Sequence, residues 1–214
     1  MALRKDEIAD LYRKRAGAYD LSANLYYLIG FREMHYRRKA VSLLDLKGGD
    51  TVVDLGCGTG LNFGLLRKAV GPEGRVIGVD LTPEMLERAE KRIRRNGWGN
   101  VALVQGDASD YRFPEAVRGI VSSFAITLMP EYDRIIRRGA EALVRGGRFV
   151  VLDFKRPETW PEWLVRAFVF ITSPFGVTLD LAERKPWESI NRYLRPMAFK
   201  EVYFGSVYIS VGEK

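Results

Sequence analysis

The stretch VVDLGCGTGLNFG, Val52–Gly64, decides the fold. It opens as the end of a buried strand, two valines followed by Asp54 and Leu55. Glycines stand at 56, 58 and 60, and a helix is expected to begin near Leu61. Such glycines permit a tight turn and close approach of a ligand to the backbone, while a helix start offers unpaired N–H groups. A nicotinamide fingerprint, GxGxxG, would need glycine at 61, where Leu61 stands, and no Lys-Ser/Thr follows to make a P-loop. Asp54, two residues ahead of the first glycine, sits badly with a pyrophosphate and suits a ligand that carries positive charge.

Outward from this loop, short β-rich runs alternate with helical patterns. Thr51–Leu55, Arg75–Asp80, Val101–Gln105, Gly119–Ala125 and Arg148–Phe154 are apolar and bounded by Gly or Asp, as strands covered on both faces of a parallel sheet should be. Pro83–Arg95 is predicted helical, with Thr82 as its cap, Pro83 in its first turn and Met85, Leu86, Ala89 and Ile93 as its apolar stripe. Asp133–Val144 is a second helix, closed by Gly146 and Gly147. The alternation predicts an α/β fold: a doubly wound, mostly parallel seven-stranded sheet in a single domain over 1–214. Within it, 1–46 is read as an N-terminal helical lid, 47–154 as the ligand-binding core and 155–196 as a helical insertion. The last segment, 197–214, is read as an antiparallel terminal hairpin turning at Gly205.

Three carboxylates complete the constellation. Asp54 and Asp80 close the first and second strands, and Asp107, in QGDAS, follows the third. All lie at carboxyl ends of strands, where open α/β sheets bind ligands, and Asp80 falls near the offset of a ribose-binding carboxylate. Composition narrows the chemistry further. The chain has 214 residues, one cysteine (Cys57) and one histidine (His35), which excludes a disulfide framework and leaves no ligand set for zinc. No metal is expected. The first twelve residues are charged, without a signal pattern. The longest apolar stretch, Trp163–Ser173, is broken by Arg166 and is shorter than the roughly 20 residues that span a bilayer. The expectation is a cytoplasmic protein. Net charge is +7, and over half of that excess lies before Val41. This asymmetry suits nucleic acid, an anionic membrane surface or an acidic substrate, or else is a solvated basic face.

DLGCGTG, GVDLTPEML, QGDAS and ALVRGGRFVVLD together resemble the ordered motifs of class I S-adenosylmethionine-dependent methyltransferases, over roughly Lys47–Asp153. The resemblance implies that Asp54 and the loop Gly56, Cys57, Gly58, Thr59 and Gly60 hold the methionine end of S-adenosylmethionine, whose product is S-adenosylhomocysteine. It implies Asp80 at the ribose hydroxyls, Leu81 and Met85 bracketing the adenine, and Asp107 accepting from the adenine amine with Ala108 beside it. Phe124 and Ala125 would line the face where the methyl leaves. Cys57 falls at a variable loop position, which makes its thiol a spectator.

For the acceptor, no Asn/Asp-Pro-Pro-Tyr follows strand four, which lowers the nucleobase reading, and one cysteine does not suffice for arsenic chemistry. The region YRFPEAVRGIVSSFAITLMPE resembles ubiquinone/menaquinone and phospholipid methyltransferases. The segment YDLSANLYYLIGFREMHYRRKA, Tyr19–Ala40, resembles the N-terminal region of bacterial phospholipid N-methyltransferases of the phosphatidylethanolamine and betaine-lipid types. That resemblance implies an amine headgroup as acceptor and peripheral binding at the anionic inner membrane face. In this reading Tyr19 closes over the cofactor, Tyr26 or Tyr27 faces an amine becoming cationic, and His35 is a candidate base. Asp153 is a further candidate base. The helix around Trp160–Ile171 is apolar nearly all round, so it is either buried or set at a bilayer interface. A quinone or other small molecule, and RNA held on the basic face, are the alternatives. Acceptor atom, number of methyl groups and oligomeric state are not encoded in these motifs.

Overall fold

A computed structural model describes residues 31–172, 181 and 184–214. Along them run α1 (Glu33–Ser42), β1 (Thr51–Leu55), α2 (Phe63–Val70), β2 (Arg75–Asp80), α3 (Pro83–Asn96), β3 (Val101–Gln105) and β4 (Val117–Ser123). A 3₁₀ turn (Ile126–Leu128) and α4 (Tyr132–Ala142) follow, then β5 (Leu143–Phe154), α5 (Glu162–Thr172), α6 (Pro186–Tyr193), β6 (Arg195–Val202) and β7 (Val207–Glu213). The strands form one sheet in the order β3-β2-β1-β4-β5-β7-β6, the expected doubly wound topology. β1 to β5 pair in parallel, with Val53 beside Ile77 on one side and Ile120 on the other. β7 then pairs antiparallel with both β5 and β6, which supplies the terminal hairpin.

The period of two along β1 decides which way its side chains go. Val52 enters the core on the side of α1 and α2, with Phe63, Leu66, Leu44 and Val150. Val53 and Leu55 enter the opposite core, with Ile135, Phe149 and Tyr208. Asp54 shares Val52's parity and is therefore directed at the α1–α2 side. The order of strands reverses between β1 and β4, and the loops leaving their carboxyl ends part there to make a crevice.

Several boundaries depart from the sequence expectation. β4 runs from Val117 to Ser123 instead of 119–125, because Phe124 adopts a left-handed backbone (φ 57°) and leaves the ladder. α4 ends at Ala142; Leu143 is already extended and pairs with Val117, and pairing resumes only at Gly119 with Arg148. Gly146 and Gly147 thus sit in a bulge inside β5 instead of closing the helix. Thr82 occupies the cap position of α3 without a capping side-chain bond, and its own N–H donates to Asp80. β6 starts at Arg195, two residues inside the expected insertion. α5 is not covered all round: Val165 is buried, whereas Trp163 is 70% and Phe170 81% exposed. No described helix is long and apolar enough to cross a membrane.

Candidate active site

The crevice, with the open solvent at its mouth included, spans about 940 Å³, and four strand ends contribute to it. β1 delivers Gly56, Cys57, Gly58, Thr59 and Leu61; β2 delivers Asp80, Leu81 and, at the start of α3, Met85; beyond β3 come Asp107 and Ala108. β4 delivers Ser123, Phe124 and Ala125, followed by Leu128, Met129, Pro130 and Glu131. The loops expected to meet at the carboxyl ends of the strands do line one crevice.

Within the glycine loop each residue has a separate reason. A side chain on Gly56 would put its Cβ 2.4 Å from Ala125 Cβ, so this glycine lets the β1 and β4 loops touch. Gly58 has φ +54°, a Cβ there would meet nothing within 4 Å, and the residue lines the crevice. Gly60 is the exception to the expected set. It does not line the crevice; a Cβ there would strike the Phe63 ring at 2.5 Å, so its bareness serves the packing of α2. The Arg92 guanidinium on α3 donates to the Thr59 carbonyl at 2.9 Å and pins the loop from outside.

Asp80 braces the loop from β2: Gly58 N–H donates to its Oδ2 at 2.8 Å and Thr82 N–H to its Oδ1 at 2.9 Å. The Thr82 hydroxyl and the Leu81 N–H also face this carboxylate, which lines the crevice. Burial raises its pKa against these bonds. Asp107 Oδ1 accepts from Ser109 N–H at 2.8 Å, which turns the chain after β3 along the crevice wall. Cys57 is buried, and burial raises its thiol well above the usual range with Asp80 and Asp54 adding to the effect. A neutral, buried thiol fits the spectator role.

Asp54 departs from the expectation. It is 1% exposed and lies behind the crevice lining. Its two oxygens accept from Asn62 Nδ2 at 3.1 and 3.2 Å, and the same amide nitrogen reaches Ser123 Oγ at 3.2 Å. Arg37 Nη1, which does line the crevice, donates to Asn62 Oδ1 at 3.0 Å, and Arg37 Nε donates to Glu33 Oε1 at 2.7 Å. The Arg37 guanidinium also lies 5.3 Å from the centre of the Phe124 ring. Sequence reading missed Glu33, Arg37 and Asn62 as site residues and counted Arg37 among the surface basic charges. It is 5% exposed and paired.

Tyr19, Tyr26 and Tyr27 lie outside the described residues. His35 is exposed on α1, edge-on to Tyr36, and does not line the crevice, so this geometry gives it no role as base. Asp153 is buried, accepting from Thr127 N–H at 3.0 Å and Phe154 N–H at 2.8 Å, and it too is absent from the lining. It ties the 3₁₀ turn after Phe124 to the end of β5. No metal-ligating cluster occurs among the described residues.

Burial raises Asp54 to about 7, opposed by the Asn62 bond and the Arg37 charge, and raises Asp153 to about 6, opposed by backbone bonds from Thr127 and Phe154. Both exceed the ordinary carboxyl value near ~3.9, so the folded chain holds more protons than the unfolded chain across this window. The stability they contribute is complete below about pH 4 and is lost as pH rises through about 6 for Asp153 and about 7 for Asp54. A cationic ligand reverses the preference, because it favours ionised Asp54. Affinity for such a cationic ligand is therefore expected to fall about fivefold from pH 7 to pH 6, with proton release on binding. Calorimetry in two buffers of different ionisation enthalpy reads both, and Asp54→Asn should flatten the profile.

Residues 52–147 match the family described as "Methyltransferase domain". A demethylmenaquinone methyltransferase of Lactobacillus johnsonii is 33% identical over 153 residues, covering 71% of this chain and 62% of that one. A 2-phytyl-1,4-naphtoquinone methyltransferase of Thermosynechococcus vestitus is 31% identical over 201 residues, covering 88% and 84%. The solved geranyl diphosphate C-methyltransferase of Streptomyces coelicolor, in complex with S-adenosylhomocysteine, shares the fold at a TM-score of 0.67 and 16% identity, covering 85% of this chain and 80% of that one. The open space over Gly58, the braced Asp80 carboxylate and the apolar flanks Leu81, Met85 and Ala108 fit a cationic nucleoside, with a hydroxyl acceptor for the ribose and apolar surfaces for the base. This chain belongs to the class I S-adenosylmethionine-dependent methyltransferases, and S-adenosylmethionine is its cofactor.

Proposed function

We propose that the chain methylates a lipophilic ring acceptor of the isoprenoid-quinol class. The observation that carries this is the similarity to a 2-phytyl-1,4-naphtoquinone methyltransferase over 88% of the chain, a span that reaches beyond the cofactor-binding core. The crevice agrees in character. Phe124, Leu128, Met129 and Pro130 form an apolar wall suited to a flat ring and to exclusion of water. S-adenosylmethionine, when bound, supplies an electrophilic methyl group on a sulfonium. The Phe124 ring is fixed against that wall by Phe154, centres 5.0 Å apart, and by the edge of Phe31 at 5.8 Å, so the acceptor side is shaped before a ligand arrives. A ring carbon is nucleophilic only in the reduced quinol, next to a hydroxyl that has lost its proton, so activity should require the reduced acceptor.

A second reading, N-methylation of a phospholipid amine such as phosphatidylethanolamine at the inner membrane face, has its own support. Trp163 and Phe170 on α5 and Phe204 at the tip of the terminal hairpin, 78% exposed, offer aromatic surface that a membrane would cover, and basic charge is concentrated before Val41. In both readings the acceptor is drawn from a lipid phase. Labelled cofactor incubated in parallel with a reduced demethylnaphthoquinone, phosphatidylethanolamine vesicles, RNA and soluble metabolites separates them. Label in the quinone is expected. Label in phospholipid alone would replace the first reading with the second, and label in RNA would remove both.

A further inference from the structure

We infer that Arg37 is a positioning residue of the cofactor crevice: held by Glu33 on its own helix, it orients Asn62, and Asn62 orients Asp54 and Ser123. The seating of α1 is thereby read out at the crevice wall. The inference rests on the crevice being the cofactor's and is independent of the acceptor.

Arg37 Nε and Nη2 both reach Glu33 Oε1 at 2.7 Å, one helical turn back, leaving Nη1 to hold Asn62 Oδ1 at 3.0 Å. A planar guanidinium can serve both partners at once, which a lysine ammonium in the same place could not do with fixed direction. Asn62 has one accepting and one donating end. With a cation at Oδ1 and the Asp54 carboxylate at Nδ2, only one orientation of the amide satisfies both neighbours, and in that orientation Nδ2 also meets Ser123 Oγ. Ser123 is the last residue of β4, immediately before Phe124, whose left-handed backbone opens the wall. One polar chain therefore runs from α1 through the start of α2 to the ends of β1 and β4.

The members of this chain are buried: Glu33, Arg37, Asn62, Asp54 and Ser123 are all largely shut off from solvent. A buried ion pair is seldom the most stable filling for such a space, since apolar residues of similar volume serve stability as well. Fixing the amide and the carboxylate beside the glycine loop is what apolar residues would not do. α1 lies outside the sheet and packs on the core through Ala40 and Val41, with Leu44 just beyond its end, so a change in its seating shifts Arg37 with it.

The test removes both members of the Glu33–Arg37 pair, so neither is left in place without the other. In the double variant Glu33→Gln/Arg37→Met, the dissociation constant for S-adenosylhomocysteine, read by calorimetry, is expected to rise at least tenfold. S-adenosylhomocysteine is expected to slow amide hydrogen exchange over residues 33–42 in the wild-type chain and to leave it unchanged in the double variant. Arg37→Lys should recover only part of the affinity. A merely structural role would lower the melting temperature and leave the dissociation constant of the folded variant unchanged, and a value within twofold of wild type would overturn the inference. Should the double variant fail to fold, Asn62→Leu keeps the Glu33–Arg37 pair and cuts the chain at its middle; binding within twofold of wild type there would overturn it equally. A wild-type chain that binds no S-adenosylhomocysteine would remove the cofactor site itself, an outcome distinct from an unaffected variant.

Discussion

Gly58→Val is expected to leave the chain folded and to lose S-adenosylmethionine. A Cβ at this position meets no protein atom within 4 Å, so the branch point enters without displacing a neighbour. Its backbone stays at φ +54°, which costs an L-residue about 1–2 kcal/mol and lowers the melting temperature by only a few degrees. The same side chain fills the space through which a ligand approaches the loop. Loss of affinity should exceed about 100-fold, ~3 kcal/mol or more. Gly56→Val makes the opposite pattern. Its Cβ lies 2.4 Å from Ala125 Cβ, so overpacking and a left-handed backbone (φ +67°) combine to cost about 2–5 kcal/mol, roughly 10 °C in melting temperature. Thermal melts beside equilibrium dialysis with labelled cofactor distinguish the two. A Gly58→Val chain that binds normally, or that unfolds as readily as Gly56→Val, would show that the loop's open side does not face the cofactor.

Asp80→Ala is the second large effect. The carboxylate accepts from Gly58 N–H and Thr82 N–H, and it stands where a ribose hydroxyl would meet it. Hydrogen bonds to a charged group contribute about 1.5–3 kcal/mol each, so losing the ligand bond and the brace on Gly58 together should weaken the cofactor by about 10²–10³-fold. Asp80→Asn retains shape and one acceptor oxygen, which predicts an intermediate loss. Competition of S-adenosylhomocysteine against a fluorescent adenosine analogue measures both variants. An Asp80→Ala chain within fivefold of wild type would leave this carboxylate a loop brace without a part in binding.

The strands β1, β2 and β3 were legible to the residue, because each is a short apolar run bounded by Gly or Asp, β1 and β2 buried and the edge strand β3 half-buried. The site was legible for the same reason: the acids and glycines mark the carboxyl ends of those strands, and topology brings the ends together. What escaped was decided by packing. Arg37 reads as one basic residue among Arg38 and Lys39, yet Glu33, Arg37, Ala40, Val41 and Leu44 share the helical spacing of a buried face. Taking that spacing at face value, charges included, would have placed the Glu33–Arg37 pair inward. Asn62 carried a weaker signal, a polar residue in the first turn after the loop, and only the parity of Asp54 on β1 turns that carboxylate toward it. The early end of α4 was hidden because Leu143 fits a helix as well as a strand, and pairing with Val117 settled it. The phospholipid expectation leaned on Tyr19–Ala40, most of which lies outside the described residues, whereas similarity over the wider chain points to quinone methyltransferases.

One crevice at the carboxyl ends of β1 to β4 is expected to hold the methyl donor. Calorimetric titration of the wild-type chain with S-adenosylhomocysteine tests it most directly. One binding site per chain, displaced by S-adenosylmethionine and absent in Gly58→Val, is the predicted result. No binding to the wild-type chain, or binding that persists unchanged in Gly58→Val, would contradict it.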